Sequence, residues 1–263
     1  MTAPSEHAAE SVAAGTDVTA SVAALRLLRR DIVSGALAPD SKLKLRVLKE
    51  RYGIGGSPMR EALAQLAAQG LVQQASQRGF RVPPLSAAHL LDITRSRQLV
   101  EVEAVKLAIA HGDADWEDEI VTSYHLLERL YARLRGAERP DTQEFEVRHQ
   151  RFHRALIAAC PLASVREFCD QLYTQATRYR LLLRRYAFTR EVVLAEHRIL
   201  MQAVLSRNKA KAGKALDAHI AITADVLLSE LADRAGRRPA AKHSKGPRAR
   251  TKLQTKPPGR RVK

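Results

Sequence analysis

The chain has 263 residues, two cysteines and a formal charge of +16. So few cysteines exclude a disulfide framework, and no signal peptide or membrane-spanning run is recognisable, so a cytoplasmic location is expected. The positive charge is segregated. Residues 18–85 carry 11 Lys/Arg against 4 Asp/Glu and residues 234–263 carry 12 against none, whereas residues 86–233 carry 21 of each. This distribution indicates a polyanion-binding segment joined to a neutral domain with another task.

The N-terminal elements predict a helix-turn-helix unit. Residues 1–17 are small and polar, and we expect disorder there. Apolar residues at helical spacing then predict one helix over 19–34 and a second over 43–52. A third helix follows a glycine-rich turn, with Ser57 as its N-cap and Gly70 at its end. Two helices joined by a tight glycine turn are typical of a helix-turn-helix.

A hairpin, or wing, is predicted after the third helix. Two short apolar strands, Leu71–Val72 and Phe80–Val82, flank a polar tip that contains Gly79. The prolines Pro83-Pro84 then mark a domain boundary. The sequence therefore predicts a winged helix-turn-helix domain over residues 18–84.

The third helix carries the side chains expected to read DNA. In a helix-turn-helix the first turns of the second helix face base edges in the major groove, and here they offer Ser57, Arg60 and Gln65. Arg60 can make a bidentate contact with guanine. The alternative is a winged module that binds protein, with Arg60 paired to a neighbouring acid. The positive charge of this segment favours DNA.

These residues carry a family resemblance. GALAPDSKLKLRVLKERYGIGGSPMREALAQLAAQGLV, with QRGFRV after it, resembles the N-terminal domain of GntR-family transcription regulators. The resemblance implies operator and backbone contacts by Arg46 and Arg60, a phosphate contact by Ser57 and a minor-groove contact at Gly79. The family usually has Arg before the Ser/Thr-Pro pair, where this chain has Gly56, so the family's usual operator sequence is not expected.

Beyond the boundary the pattern is helical. Six amphipathic helices are predicted, at 86–111, 114–136, 141–159, 162–187, 189–206 and 209–232. Without strand alternation, residues 85–233 are expected to form an all-helical bundle, which makes the whole fold mainly α. The basic tail, 234–263, is expected to be disordered and either adds non-specific affinity for DNA or only solubilises the chain.

Four histidines of the helical domain lie on apolar stripes: His149, His153, His197 and His219. A buried imidazole needs a partner, and imidazole is the common ligand of divalent metals, with zinc or nickel favoured here. Convergence on one metal competes with ordinary core hydrogen bonds for each ring. The stretch HQRFH is one residue from the H-E-x-x-H of metalloproteases. Gln150 replaces the general base, so a zinc-dependent hydrolase is disfavoured.

Residues 87–230 resemble the FCD effector-binding domain of the FadR subfamily, an all-helical bundle with a buried metal. Its pattern is Asp/Asn-x-x-x-His on one helix and a histidine on each of two later helices, which His153, His197 and His219 match. His149 takes the place of the carboxylate or amide. With no protein carboxylate to offset the metal's charge, we expect an anionic effector to bind the metal directly.

Arginines are expected to bind the effector. Arg97 in RQLVE matches the family's R-x-x-L-E stretch and can hold a carboxylate, or it can pair with Glu101. Arg178, Arg184 or Tyr179 is a candidate for a second clamp, and Arg178 is preferred. The stretch VRHQRFHRALIAAC, with RYRLLLRR downstream, resembles the glutarate-responsive repressors and suggests a small dicarboxylate.

The expected function is transcription regulation. A homodimeric repressor would read a two-fold operator in double-stranded DNA and respond to the carboxylate. Besides the hydrolase, the rival is a non-specific basic DNA-binding protein driven by the tail. The sequence contains no feature that favours membrane association.

Overall fold

The computed structural model describes residues 6–75, 79–133, 141–183 and 189–237. Over these ranges nine helices and three short strands are formed. The N-terminal elements are α1 (Glu6–Ser34), β1 (Lys42–Leu43), α2 (Leu45–Tyr52), α3 (Gly56–Ala68), β2 (Gln73–Ala75) and β3 (Gly79–Arg81). The remaining helices are α4 (Ala87–His111), α5 (Ala114–Ala132), α6 (Thr142–Ile157), α7 (Ala163–Leu183), α8 (Arg190–Leu205) and α9 (Lys209–Arg237). The predicted fold class, a small winged unit followed by a helical bundle, is confirmed. No helix in these ranges is long and apolar enough to cross a bilayer.

The first strand of the wing lies at other residues than predicted. Its antiparallel strands are β2 and β3, and β1 pairs with the other edge of β3, in the order β1-β3-β2. Leu71 and Val72, predicted as a strand, precede β2 and are buried in the core of the unit. The prediction was wrong because Leu71 and Val72 pack into the core between α3 and β2. The polar residues that follow them form the strand that pairs with β3. The wing tip, 76–78, lies outside the described residues.

Three helix ends also differ. Helix α1 begins at Glu6, so residues 6–17 have a helical backbone where disorder was expected. Their alanine-rich composition has high helix propensity, which explains the difference. Helix α3 begins at Gly56 with Gly55 as N-cap, so Ser57 lies inside the first turn instead of capping it. Helix α9 continues to Arg237. Residues 1–5 and the rest of the predicted tail, 238–263, lie outside the described residues.

Asp31 joins α1 to α2. Its carboxylate is buried and accepts hydrogen bonds from Tyr52 Oη at 2.7 Å, Arg51 Nη2 at 2.8 Å and Arg30 Nε at 2.9 Å. Burial alone would raise the pKa of Asp31. The hydrogen bonds from Tyr52 and Arg30 and the charges of Arg30 and Arg51 outweigh burial and hold the pKa below its ordinary value.

We expect Asp31→Asn to lower the free energy of unfolding by about 1–3 kcal/mol at neutral pH, because a buried, hydrogen-bonded charge is lost. Since the folded-state pKa is lowered, this stabilisation is present above the ordinary carboxyl pKa, about 4, and is lost as pH falls through the lowered value. Urea unfolding of both proteins across this pH range measures the effect. Asp40→Asn, which alters an exposed pair with Arg81, is the matched control and should change stability by roughly 0.5 kcal/mol or less. Equal losses for both variants at neutral pH would contradict the prediction.

Helix α7 connects the two domains. The side chain of Gln175 donates to the main-chain carbonyl of Gln69, the C-cap of α3, at 3.0 Å. Leu182 packs under Gly35 at the end of α1, where a positive φ of 85° favours glycine. The winged unit is therefore held directly by a helix of the helical domain.

The core of the helical domain is assembled mainly from α4, α5, α6, α8 and α9, with Cys169 contributed by α7. Its buried apolar residues include Ile109, Trp116, Tyr124, Phe152, Leu200, Val204, Leu216 and Ile220. Cys160 and Cys169 belong to the same cluster as free thiols, as predicted. Burial raises the pKa of Cys169 to about 12, so this thiol stays protonated and unreactive at neutral pH.

Candidate metal centre and DNA-reading surface

The predicted histidines come together from three helices. His149 and His153 lie one turn apart on α6, His197 lies on α8 and His219 on α9. All four are buried, and one ring nitrogen from each lies within 4.8 Å of the others. Donor atoms at these separations can share one cation.

The ring nitrogens are arranged as metal ligands require. His197 Nδ1 donates to the Val193 carbonyl at 2.6 Å, which turns Nε2 inward, and His149 Nδ1 is 2.6 Å from the Tyr173 hydroxyl. Within the described part of the chain, the buried Nε2 atoms of His153 and His197 have no hydrogen-bond partner. An unpartnered buried nitrogen is costly, and a metal would satisfy both atoms. The residues present therefore fit a metal ion.

Burial favours the neutral, ligating form of these rings. Loss of water lowers the pKa of His149 and His153 well below the ordinary value, and the neighbouring histidines and arginines lower it further. Burial and the neighbouring His219 lower the pKa of His197 to about 3. At neutral pH these three imidazoles keep the lone pairs that a metal needs.

Two buried arginines stand beside the histidines, each paired with a glutamate. Arg97 Nε and Nη2 contact Glu101 at 2.6 and 3.2 Å, and Arg180 Nη2 contacts Glu146 at 2.7 Å. Both guanidinium groups lie over the Tyr173 ring, at 5.6 Å for Arg97 and 4.8 Å for Arg180. The two positive charges are therefore already balanced by protein carboxylates.

The histidines and both arginines line one cavity. The space open to the centres of water molecules is about 50 Å³, several times the roughly 10–15 Å³ that one water needs. The apolar wall of the cavity is formed by Phe145, Val192, Val193, Ile222 and Leu227. The cavity therefore combines neutral imidazoles and two paired arginines with an apolar wall.

The predicted DNA-reading residues lie on the winged unit. Exposed side chains of α2 and α3 include Arg46, Ser57, Arg60 and Gln65. Among the described residues Arg60 has no ion-pair partner, so the acid-paired alternative is not observed. Arg46 pairs with Glu50 at 2.7 Å on an open surface, which is a weak interaction that phosphate can replace. Gly79 begins β3 at the wing.

Known proteins match both halves of this architecture. Residues 20–82 match the family described as bacterial regulatory proteins, gntR family, and residues 92–222 match the FCD domain. The HTH-type transcriptional repressor GlaR of Escherichia coli (strain K12) is 38% identical over 199 residues, which cover 74% of this chain and 90% of that protein. The chain belongs to the GntR family. It is a DNA-binding transcriptional repressor with an FCD domain, and not an enzyme.

One further relative and one solved structure resemble this GntR-family repressor. The uncharacterized HTH-type transcriptional regulator BphR of Paraburkholderia xenovorans (strain LB400) is 38% identical over 198 residues, 75% of this chain and 81% of that one. The solved structure of E. coli McbR/YncC has a TM-score of 0.68 at 20% identity, covering 81% of this chain and 98% of that chain. At that identity the structural likeness shows the fold alone.

The structure corrects the arginine chosen for the second clamp. Arg178 is buried at the domain boundary, where it donates to the Pro83 carbonyl, and it does not belong to the cavity lining described above. Arg180 lines the cavity instead, because two residues along a helix turn a side chain by about 200°. Tyr173, seven residues before Arg180 and so on the same helix face, was the signal that could have identified it. Arg184 lies outside the described residues.

A second correction concerns charge near the histidines. Glu196 lines the cavity, and its Oε2 is 3.8 Å from His219 Nδ1. The expectation that no protein carboxylate offsets positive charge at this site is therefore wrong. In this repressor Gln150 borders a different surface pocket, with Glu119 and Arg151, away from the histidines.

Proposed function

We propose that this repressor holds a divalent metal, zinc or nickel, on its four buried histidines and that a small dicarboxylate binding there controls operator affinity. The observation that carries the proposal is the pair of buried, unpartnered Nε2 atoms of His153 and His197 in a cavity that Arg97 and Arg180 also line. Ordinary core histidines would have hydrogen-bond partners on both nitrogens.

The charges of the cavity favour a metal-dependent anion site. Glu101 and Glu146 neutralise the two arginines, so these residues orient an acid more than they attract it. The metal would supply positive charge that Glu196 only partly offsets, and it would accept a carboxylate oxygen either as a fifth ligand or in place of His149. His149 would serve as a fourth ligand through Nε2, with Nδ1 held by Tyr173.

A dicarboxylate such as glutarate fits both the site and the resemblance in VRHQRFHRALIAAC. One carboxylate would lie at the metal, the methylene chain against the apolar wall, and the second carboxylate near Arg97 or Arg180. Arginine has five donors, and the pair with Glu101 uses only Nε and Nη2 of Arg97. The Nη1 atom remains for the effector.

Helix α7 offers a route from this site to DNA. Tyr173 contacts the ligand His149, and Gln175, two residues later, holds the C-cap of α3. A shift or rotation of α7 on effector binding would therefore move the DNA-reading helix. We propose that two copies form a homodimer in the cytoplasm, and that Arg46, Ser57, Arg60, Gln65 and Gly79 of each copy contact one half of a two-fold operator.

The proposal is tested by effector screening of the purified protein with and without zinc or nickel. We expect glutarate to raise the melting temperature by about 5–10 °C at roughly 100 times its Kd, because a ligand stabilises the folded state by mass action. The same ligand should release operator DNA in a fluorescence anisotropy assay. Chelated protein should keep operator affinity and lose both responses, and glutarate dimethyl ester should produce neither. Carboxylate affinity that is unchanged by metal removal would refute the metal-bound effector.

A further inference from the structure

The outer face of α4 carries a stripe of mostly exposed side chains. Asp92, Arg95, Leu99, Glu103 and Lys106 recur every three or four residues and so share one face of the helix. The opposite face, with residues such as Arg97, Glu101 and Val105, is buried in the bundle. Leu99 is 74% exposed at the centre of the stripe. A large exposed apolar side chain between charged neighbours is typical of a contact surface.

The charges of this stripe are arranged symmetrically about Leu99. Asp92 and Lys106 each lie seven residues from it, and Arg95 and Glu103 each lie four. In both pairs the two members have opposite signs. If two copies of α4 pack antiparallel with their Leu99 side chains in contact, Asp92 faces the partner's Lys106 and Arg95 faces the partner's Glu103. The two-fold axis repeats each contact, which gives four complementary charge pairs.

The surface beside the stripe has room for a second helix. Helix α9 packs tightly against α4 at Gly213, where an added Cβ would lie 3.1 Å from Lys106 Cε and 3.2 Å from Val102 Cγ1. On the solvent side of this contact an open groove runs between the two helices, and the small residues Ala210 and Gly213 belong to its lining. Small residues along a groove let a neighbouring helix approach closely.

We infer that this face of α4 binds a second copy of the same chain, antiparallel and centred on Leu99. The inference rests on the proposed homodimer and deepens it by naming the contact. The charge pattern of this face is complementary to the same face of a second copy, because the signs reverse about Leu99. This complementarity arises when the two α4 helices pack antiparallel across a two-fold axis. Parallel packing would put like charges together.

The charges of the stripe are available for these contacts. Among the described residues, neither Asp92 nor Arg95 has an ion-pair partner. Glu103 contacts Lys106 of its own helix at 2.7 Å, but Glu103 is exposed and Lys106 is only half-buried. Such a pair contributes little and can be shared with a partner.

The test is charge reversal in the full-length chain, followed by sedimentation equilibrium. Arg95→Glu places a carboxylate opposite the partner's Glu103, and Glu103→Arg places a guanidinium group opposite the partner's Arg95. Each single variant should raise the dimer dissociation constant at least ~10-fold, because like charges in an interface are costly. Leu99→Asp should raise it by ~100-fold or more, since two carboxylates would meet in an apolar contact. Ile199→Asp, at an exposed position of α8, is the matched control and should leave the constant unchanged.

Two rescue experiments distinguish this contact from a general loss of folding. An equimolar mixture of Arg95→Glu and Glu103→Arg should form heterodimers with near wild-type affinity, because both contacts become attractive again. The double variant should form homodimers. Dimers that withstand all three single substitutions would overturn the α4 contact but not the homodimer. A monomeric wild-type chain at micromolar concentration would overturn both. Loss without rescue would also overturn the pairing.

Discussion

His153→Ala is expected to lower metal affinity by roughly 100-fold or more, since even changes to residues that only support metal ligands cost 10–100-fold. His153 Nε2 is one of two buried histidine nitrogens without a hydrogen-bond partner among the described residues, and its ring centroid lies 5.2 Å from that of His219 and 5.5 Å from that of His197. His153→Ala removes the Nε2 atom, which lies in a cluster of histidines that could hold a cation. Operator affinity should change little, because the DNA-reading residues lie on the winged unit.

Metal content by mass spectrometry and carboxylate binding by calorimetry measure the two losses. His125→Ala is the matched control, because His125 is an exposed histidine of α5 that contacts Glu128 instead of the cluster. The control should keep metal and effector response. His153→Gln retains most of the side-chain volume and separates loss of the ligand from loss of packing. Full metal occupancy in both His153 variants would show that the metal does not depend on this ring.

The helices were predictable because their apolar stripes are regular. All six helices of the helical domain begin within one residue of the predicted position, including Ala114 and Lys209, and the winged unit follows its glycine and proline signals. The histidines were predictable for the same reason. An imidazole on a core-facing stripe must be buried, and each buried ring needs a partner for its nitrogens. One shared metal ion can satisfy several such rings at once. Their proximity in the structure fits that reasoning, while the metal itself stays a prediction.

Other features could not be predicted, because they depend on tertiary contacts that the periodicity of the sequence does not reveal. Arg178 and Arg180 lie in the same basic run, and only the packing of α7 between two domains decides which one meets the cavity. Glu196 could not be assigned because its position depends on how α8 lies against α9. Leu71 and Val72 have the composition of a strand, yet their burial in the winged core determines their conformation.

Arg60→Ala is expected to weaken binding to the specific operator by about 1–3 kcal/mol, roughly 5- to 150-fold, and to relax base preference at one position of each half-site. The side chain is exposed on the first turns of α3 and, in the described part of the structure, is held by no ion pair. It is therefore free to reach a guanine edge. The backbone of α3 should be unaffected, since Leu63 and Leu66 form its buried face.

A phosphate contact and a base contact give different results in this experiment. If Arg60 only binds phosphate, Arg60→Ala should weaken all sequences equally and lower the salt dependence of binding by about one counterion. If it reads a base, affinity for the operator should fall more than affinity for random DNA. Arg129→Ala removes another exposed arginine, from α5 in the helical domain, and controls for net charge. Titrations of operator and random duplexes at several salt concentrations distinguish the cases, and equal affinities for Arg60→Ala and Arg129→Ala on both duplexes would remove Arg60 from the DNA-reading surface.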